Sequence, residues 1–359
     1  MKVAPIYHAL AVTSWALPVL VHTGQHYDDN MFGAFLRTLG LPYPPPHHLN
    51  IGSGSHAEQT GRTMIAYEAF CQKEHPALTL VVGDVNSTIA CALAAKKLGI
   101  MVGHMEAGLR SFDRTMPEEI NRLATDSISD WLWTPSPDAT AQLLHEGINA
   151  DKIYEVGNVM IDAYCLMEDQ IKKDQTRQSL QLEGAQYGVV TFHRPANVDV
   201  QEQLTALVDA MEDISAELKL LFPMHPRTRQ KLIDFRLHKR LSACTGVIIC
   251  DPLPYVPFMN LVLGATLVIT DSGGIQEETS YLGIPCLTLR TTTERPITIT
   301  HGTNQLVSIE TVVEKAFGTL HTPLPKRIPI PGWDGQAAAR TVAHIHDILH
   351  TLCDPFHAG

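Results

Sequence analysis

Three signatures are missing from this sequence, and each absence removes a class of function. The seven cysteines are odd in number and scattered (Cys71, Cys91, Cys165, Cys244, Cys250, Cys286 and Cys353). There is no Cys-x-x-Cys pair and no His-Glu-x-x-His, so neither a zinc site nor a disulfide framework is indicated. No apolar run reaches the roughly 18–20 residues that cross a bilayer. Met1–Val21 is moderately apolar but is interrupted by Pro5, His8 and Pro18, and it lacks the charged region and cleavage site of a signal peptide. The expectation is a cytoplasmic protein with free thiols, no metal and no membrane contact. Positive charge is also short: 27 Lys and Arg stand against 38 Asp and Glu, a formal net charge of −11. That argues against nucleic acid as a partner, because phosphate backbones call for a basic footprint. It leaves room for a local basic pocket around one small phosphate ligand.

What is present reads as α/β. The 359 residues, 45% hydrophobic and 18% charged, suit two domains with sizeable cores. Apolar runs of strand length alternate with helix-length segments. The first series is Leu17–His22, Leu78–Gly83, Val102–Glu106, Trp131–Thr134 and Ile153–Val156. The second is Val189–His193, Leu220–Met224, Val247–Cys250, Leu267–Thr270 and Cys286–Leu289. Continuous rather than alternating hydrophobicity predicts strands buried on both faces, hence parallel sheets. Two doubly wound, Rossmann-like domains follow, 1–156 and 157–335, with the boundary near Gly157–Asp162. Pro323–Pro331 reads as a connector. The amphipathic stretch Gln336–Leu352 lies in a C-terminal helix, 336–359, that completes the first domain. Ligands in such sheets bind beyond the carboxyl ends of strands, and two facing sheets would form an interdomain cleft.

Several post-strand residues could carry chemistry. Asp271-Ser272-Gly273-Gly274-Ile275-Gln276-Glu277-Glu278 follows a strand, and Asp271 or Ser272 can cap the next helix. The glycines let a phosphate approach free N–H groups, and Glu278, about one turn in, could accept from ribose hydroxyls. An ordinary strand-to-helix turn is the equal alternative. His193-Arg194 ends a strand and suits a diphosphate, or is a surface turn. Arg295 is another candidate phosphate partner, though taken alone it reads as a surface salt bridge. Phe258 could stack on a base, but an aromatic at a helix start is more often core. In the first half, Asp84 and Glu106 stand at the ends of neighbouring strands. Glu118 and Arg122, four apart, would share one helix face if Pro117 starts a helix, and spacing alone favours an intrahelical ion pair. Three acidic groups converging on one cleft would raise at least one pKa, as acid–base work requires. Gln25 and His26 follow the first run and read equally as ligand contacts or as a plain turn.

Together these segments resemble one family. V-V-G-D-V-N-S-T (81–88), G-H-M-E-A-G-L-R (103–110), P-E-E-I-N-R (117–122), D-S-G-G-I-Q-E-E (271–278) and T-T-E-R-P (292–296) stand in the order seen in the non-hydrolysing UDP-N-acetylglucosamine 2-epimerases. H-T-G-Q-H-Y-D (22–28) and G-S-G-S-H-A-E-Q-T-G (52–61) look like its archaeal branch. The resemblance implies a glycosyltransferase-B-type fold, a homodimer, a UDP-sugar substrate and no cofactor. It implies inversion at carbon 2 to UDP-N-acetylmannosamine through elimination of UDP and a bound 2-acetamidoglucal. By motif position it assigns Asp84, Glu106 and Glu118 as catalytic carboxylates, with Arg122 and His193 beside them. It assigns Lys2, Gln25, His26, Arg194, Phe258, Ser272, Gly273, Gly274, Glu278 and Arg295 to substrate binding.

The sequence departs from the family at Ala196, where a Glu is common, and at Asp28, where bacterial members often carry Gln. The latter weighs against bacterial-style activation by a second UDP-sugar. Family members also open with a strand and a Gly-x-Arg-Pro loop, whereas this sequence starts at the following helix, with Lys2 matching the loop's last Lys. The first strand, and with it the Arg that meets the UDP phosphates, is expected to be absent here, leaving an unfilled slot in the sheet. Rival readings are a glycosyltransferase of the same architecture, a UDP-diacetamido-uronate 2-epimerase, and a catalytically silent UDP-sugar-binding protein.

Overall fold

The structure, a computed structural model, describes residues 1–24, 33, 36–321 and 328–353. Gln25 and His26 lie outside the described residues. The chain folds as two compact units, Met1–Leu166 with Pro331–Gly359, and Met167–Ile330. The division falls inside the helix Val159–Lys173, a few residues beyond the boundary expected near Gly157–Asp162. No helix among the described residues is long and apolar enough to cross a membrane.

In the first unit, strands β1 (Val21–His22) and β2 (His47–His48) form one parallel pair. Strands β3 (Leu78–Val82), β4 (Met101–Met105), β5 (Trp131–Thr134) and β6 (Ile153–Glu155) form a second, four-stranded parallel sheet in that order. The expected Leu17–His22 strand is thus cut to its last two residues, because Pro18 offers no ladder donor and Leu17 is exposed. Among the described residues no strand pairs with the outer edge of β3. Val21 still packs with Tyr67, Cys71 and Val81, so the short pair shares a core layer with β3. The opposite layer joins Ile6, Met105, Trp133, Val156, Ala337 and Ile345, which docks the helix Ala337–Cys353 onto this sheet. The stretch Gly52–Gly61 starts the helix His56–Glu74 with a reciprocal capping box. Ser55 Oγ accepts from the Glu58 N–H, and Glu58 Oε2 accepts from the Ser55 N–H at 2.8 Å.

The second unit has one six-stranded parallel sheet. Its strands are β7 (Tyr187–Thr191), β8 (Lys219–Pro223), β9 (Val247–Cys250), β10 (Leu267–Thr270), β11 (Cys286–Leu289) and β12 (Asn304–Val307), ordered β12-β11-β10-β7-β8-β9. The chain builds outward from β7 to β9, then crosses back to β10. The strand order therefore reverses between the parallel neighbours β7 and β10, the switch point where open α/β sheets bind ligands. The sequence did not mark β12, whose Asn304 and Gln305 break the apolar run; Asn304 is buried and pairs with Thr288 Oγ1 at 2.6 Å.

One packing contact in the first unit is unusually tight. A Cβ on Gly103 would come within 2.2 Å of the fully buried Trp133 ring. Neither the β4 backbone nor the indole has room to yield. Gly103→Ala is expected to destabilise the protein by about 1–3 kcal/mol through overpacking, read as a lower urea midpoint at an unchanged slope.

Candidate active site

In the first unit the site grows from the ends of β3 and β4. The two strands run parallel with Val82 opposite Met105, so the next residues, Gly83-Asp84 and Glu106, emerge side by side. Glu106 sits at φ +68°, a left-handed conformation that costs a non-glycine residue about 1–3 kcal/mol and concentrates at functional sites. Its side chain is 2% exposed and pairs through Oε2 with Lys2 Nζ at 2.5 Å. The other oxygen, Oε1, is buried and accepts no hydrogen bond among the described residues. An acceptor withdrawn from water without a donor is costly, so this oxygen is an open position for a ligand proton or hydroxyl.

Asp84 is held from the helix Pro117–Ile128. Its Oδ2 accepts from Arg122 Nη2 at 2.7 Å and Nε at 3.1 Å, and its carbonyl accepts from Asn121 Nδ2 at 2.9 Å. Pro117 does begin that helix, but the expected Glu118–Arg122 pair is replaced by Glu119–Arg122, at 2.6 Å. The reason is direction. One residue turns the side chain by about 100°, and Glu119 is the one that faces inward, 1% exposed. There it also accepts from the Ser111 N–H, Ser111 Oγ and the Phe112 N–H. Glu118 is half-buried and has no hydrogen-bond or ion-pair partner among the described residues, so no contact joins it to Asp84 and Glu106.

Behind these groups lies a buried ion pair that sequence spacing gave no reason to expect. His104 and Asp126 meet at 2.6 Å, and Arg110 bridges Asp126 at 2.7 Å to Glu146 at 2.7 Å.

In the second unit the site forms at the β7/β10 switch point. His193 and Arg194 follow β7, and Asp271 follows β10. Asp271 and Ser272 were the two candidates to cap the next helix. Ser272 occupies the cap position without a side-chain hydrogen bond, and Asp271 turns back instead to the β7 loop. It accepts from the His193 N–H at 3.0 Å, the Arg194 N–H at 2.9 Å and Asn197 Nδ2 at 3.1 Å, with His193 Nδ1 at 2.9 Å. Burial works against the carboxylate, yet the His193 contact and these donors outweigh it and hold the Asp271 pKa below its ordinary value.

Gly273 and Gly274 open the helix Gly273–Leu282. A Cβ on Gly273 would lie 2.7 Å from Glu294 Oε1 and 2.9 Å from Arg295 Nη1, so a side chain there would displace the tips of that buried pair. Arg295 is therefore no surface residue. It is 6% exposed, 2.8 Å from Glu277 Oε2 and paired with Glu294, which in turn holds Arg290 at 2.8 Å. Buried charges persist only when paired in this way. Further along the helix, Glu278 Oε1 accepts from the Tyr255 hydroxyl at 2.8 Å, and Phe258 lies half-buried one turn after Tyr255.

Comparison with known proteins bears on both halves. The profile of the family "UDP-N-acetylglucosamine 2-epimerase" matches residues 8–346. The chain belongs to the UDP-N-acetylglucosamine 2-epimerase family. A UDP-N-acetylglucosamine 2-epimerase of Methanococcus maripaludis is 43% identical over 321 residues, 85% of this chain and 84% of that protein. A UDP-2,3-diacetamido-2,3-dideoxy-D-glucuronate 2-epimerase of Pseudomonas aeruginosa is 38% identical over 355 residues, 96% of each chain. The crystal structure of the Methanocaldococcus jannaschii UDP-GlcNAc 2-epimerase in complex with UDP-GlcNAc and UDP is 40% identical and superposes with a TM-score of 0.87 over 96% of each chain. The fold is accordingly that of this family, two Rossmann-like domains.

The Asp271 pairing has a measurable pH signature. Its folded pKa lies below the unfolded one, so the ionised group adds stability that is fully present above the unfolded pKa. That contribution is lost as the pH falls through the folded pKa. Asp271→Asn is expected to cost about 1–3 kcal/mol at neutral pH. The difference from the parent protein, taken from urea midpoints, should shrink as the pH drops below about 4.

Proposed function

We propose that this protein interconverts UDP-N-acetylglucosamine and UDP-N-acetylmannosamine by eliminating UDP and adding it back. The observation that carries the reading is the placing, at the ends of neighbouring strands β3 and β4, of an Arg-held carboxylate and a buried one whose Oε1 accepts no hydrogen bond among the described residues. It is supported by family membership and by relatives named for this activity.

The carbon-2 proton of the sugar is not acidic in the ground state. It becomes removable as the bond from carbon 1 to UDP weakens and positive charge grows on carbon 1. The elimination breaks that bond, UDP leaves with the electron pair, a carboxylate takes the carbon-2 proton, and a double bond joins carbons 1 and 2. Re-addition reverses each change, with the proton delivered to the opposite face. Asp84 and Glu106 are the proton-handling groups in this reading, with Glu118 as the third carboxylate. Arg122 orients Asp84, and Lys2 balances Glu106.

The second unit's residues take the nucleotide. The N–H groups of Gly273 and Gly274 at a helix start, with the Ser272 hydroxyl, suit a diphosphate, with His193 and Arg194 as its cationic partners. Arg295 braces Gly273 through the buried ion network. Glu278 takes the ribose and Phe258 the base. Homodimeric assembly and a cytoplasmic setting belong to the same reading, the latter supported by six free cysteines among the described residues.

The test is proton NMR of the purified protein with UDP-N-acetylglucosamine and no acceptor. The N-acetylmannosamine isomer is expected to accumulate to a fixed ratio, reached from either side. Glu106→Gln and Asp84→Asn are each expected to slow this by about 10²- to 10⁴-fold. Turnover only of a diacetamido-uronate, or only when an acceptor is added, would overturn the assignment.

A further inference from the structure

Two turns must keep a fixed spacing if Asp84 and Glu106 are to act on one carbon. The first runs through Gly83 to Asp84; the second runs from Glu106 to Gly108. A single buried pair touches both. His104 stands on β4, fully buried, with both ring nitrogens engaged. Nε2 lies 2.8 Å from the Gly83 carbonyl oxygen, the residue before Asp84. Nδ1 lies 2.6 Å from Asp126 Oδ1. Asp126 Oδ2 in turn accepts from the Gly108 N–H at 3.1 Å, two residues after Glu106.

The geometry decides the protonation. A carbonyl oxygen only accepts, so Nε2 must carry a proton. Nδ1 then faces a carboxylate, and one proton lies between them. Asp126 also accepts from the Gly108 N–H and pairs with the Arg110 guanidinium. Those donors favour the ionised acid, which leaves the proton on the ring. The other charges around the pair are Glu106 at the end of the same strand, itself paired with Lys2, and Glu146 behind Arg110. Burial alone would push the imidazole toward neutrality, but Asp126, the Gly83 carbonyl and Glu106 together leave its pKa raised. Burial opposes the ionised Asp126 carboxyl, but His104, Arg110 and the Gly108 N–H hold its pKa low.

We propose that His104 and Asp126 form a positioning clamp, a buried imidazolium–carboxylate pair that fixes the Gly83 carbonyl and the Gly108 amide and so sets Asp84 and Glu106 for proton transfer at carbon 2. Neither residue touches the substrate; both act through the backbone of the turns they hold. The clamp's catalytic role rests on the epimerase reading, whereas its charge state does not.

Two measurements test it. The first is long-range proton–nitrogen correlation on uniformly ¹⁵N-histidine-labelled protein, with His104 assigned from its missing signal in His104→Gln. Both ring nitrogens are expected to be protonated at neutral pH, where an ordinary imidazole has lost one proton. A singly protonated His104 ring at neutral pH would overturn the clamp, whatever the enzyme's activity. The second is epimerase kinetics on His104→Gln and Asp126→Asn, with UDP affinity measured in parallel. The turnover number is expected to fall roughly 10- to 100-fold, as small misplacements of reacting groups do, with KM and UDP affinity within about twofold of the parent. Unchanged turnover, or equal loss of turnover and UDP binding, would overturn the positioning role. If the parent protein itself fails to epimerise, the epimerase reading falls and the nitrogen measurement still decides the charge of the pair.

Discussion

A carboxylate taken out of water must be matched by donors, and in each unit one buried aspartate, in meeting that demand, ties two post-strand turns together. In the second unit Asp271, leaving β10, collects the N–H groups of His193 and Arg194 beyond β7. In the first, Asp126 takes the Gly108 N–H beyond β4 directly and reaches the Gly83 carbonyl beyond β3 through His104. Parallel strands bring the turns within reach, but a sheet ladder stops at the strand end. The buried carboxylate extends the order one or two residues further, to the positions where a ligand would be met.

The sheets were legible because burial on both faces leaves an unmistakable apolar run. Trp131–Thr134, Val247–Cys250, Leu267–Thr270 and Cys286–Leu289 fall where hydrophobicity places them. The exceptions have causes. Pro18 shortens the first strand, and β12 hides behind Asn304 and Gln305, because its polar residue is buried and paired rather than excluded. Strand ends were equally readable, which is why Asp84, Glu106, His193 and the Ser272–Gly274 turn were singled out.

Partners across space were not readable. Nothing in the spacing distinguishes Glu118 from Glu119 as the mate of Arg122; only the docked helix face decides it. His104 and Asp126 are 22 residues apart, and a lone histidine in an apolar strand gives no sign of a carboxylate waiting on a neighbouring helix. Arg295 reads as a surface cation until the fold buries it among Glu277, Arg290 and Glu294. Motif order found the family; pairing had to come from the structure.

On the epimerase reading, paired strand-end carboxylates remove the carbon-2 proton and deliver a different one to the opposite face. Incubation with UDP-N-acetylglucosamine in heavy water tests it most directly, with the carbon-2 signal followed by proton NMR. Deuterium is expected to enter carbon 2 of the sugar at least as fast as the N-acetylmannosamine isomer appears, because each inversion requires the original proton to leave. Appearance of the isomer with the carbon-2 hydrogen retained, or tight UDP-sugar binding with no exchange at all, would contradict the account.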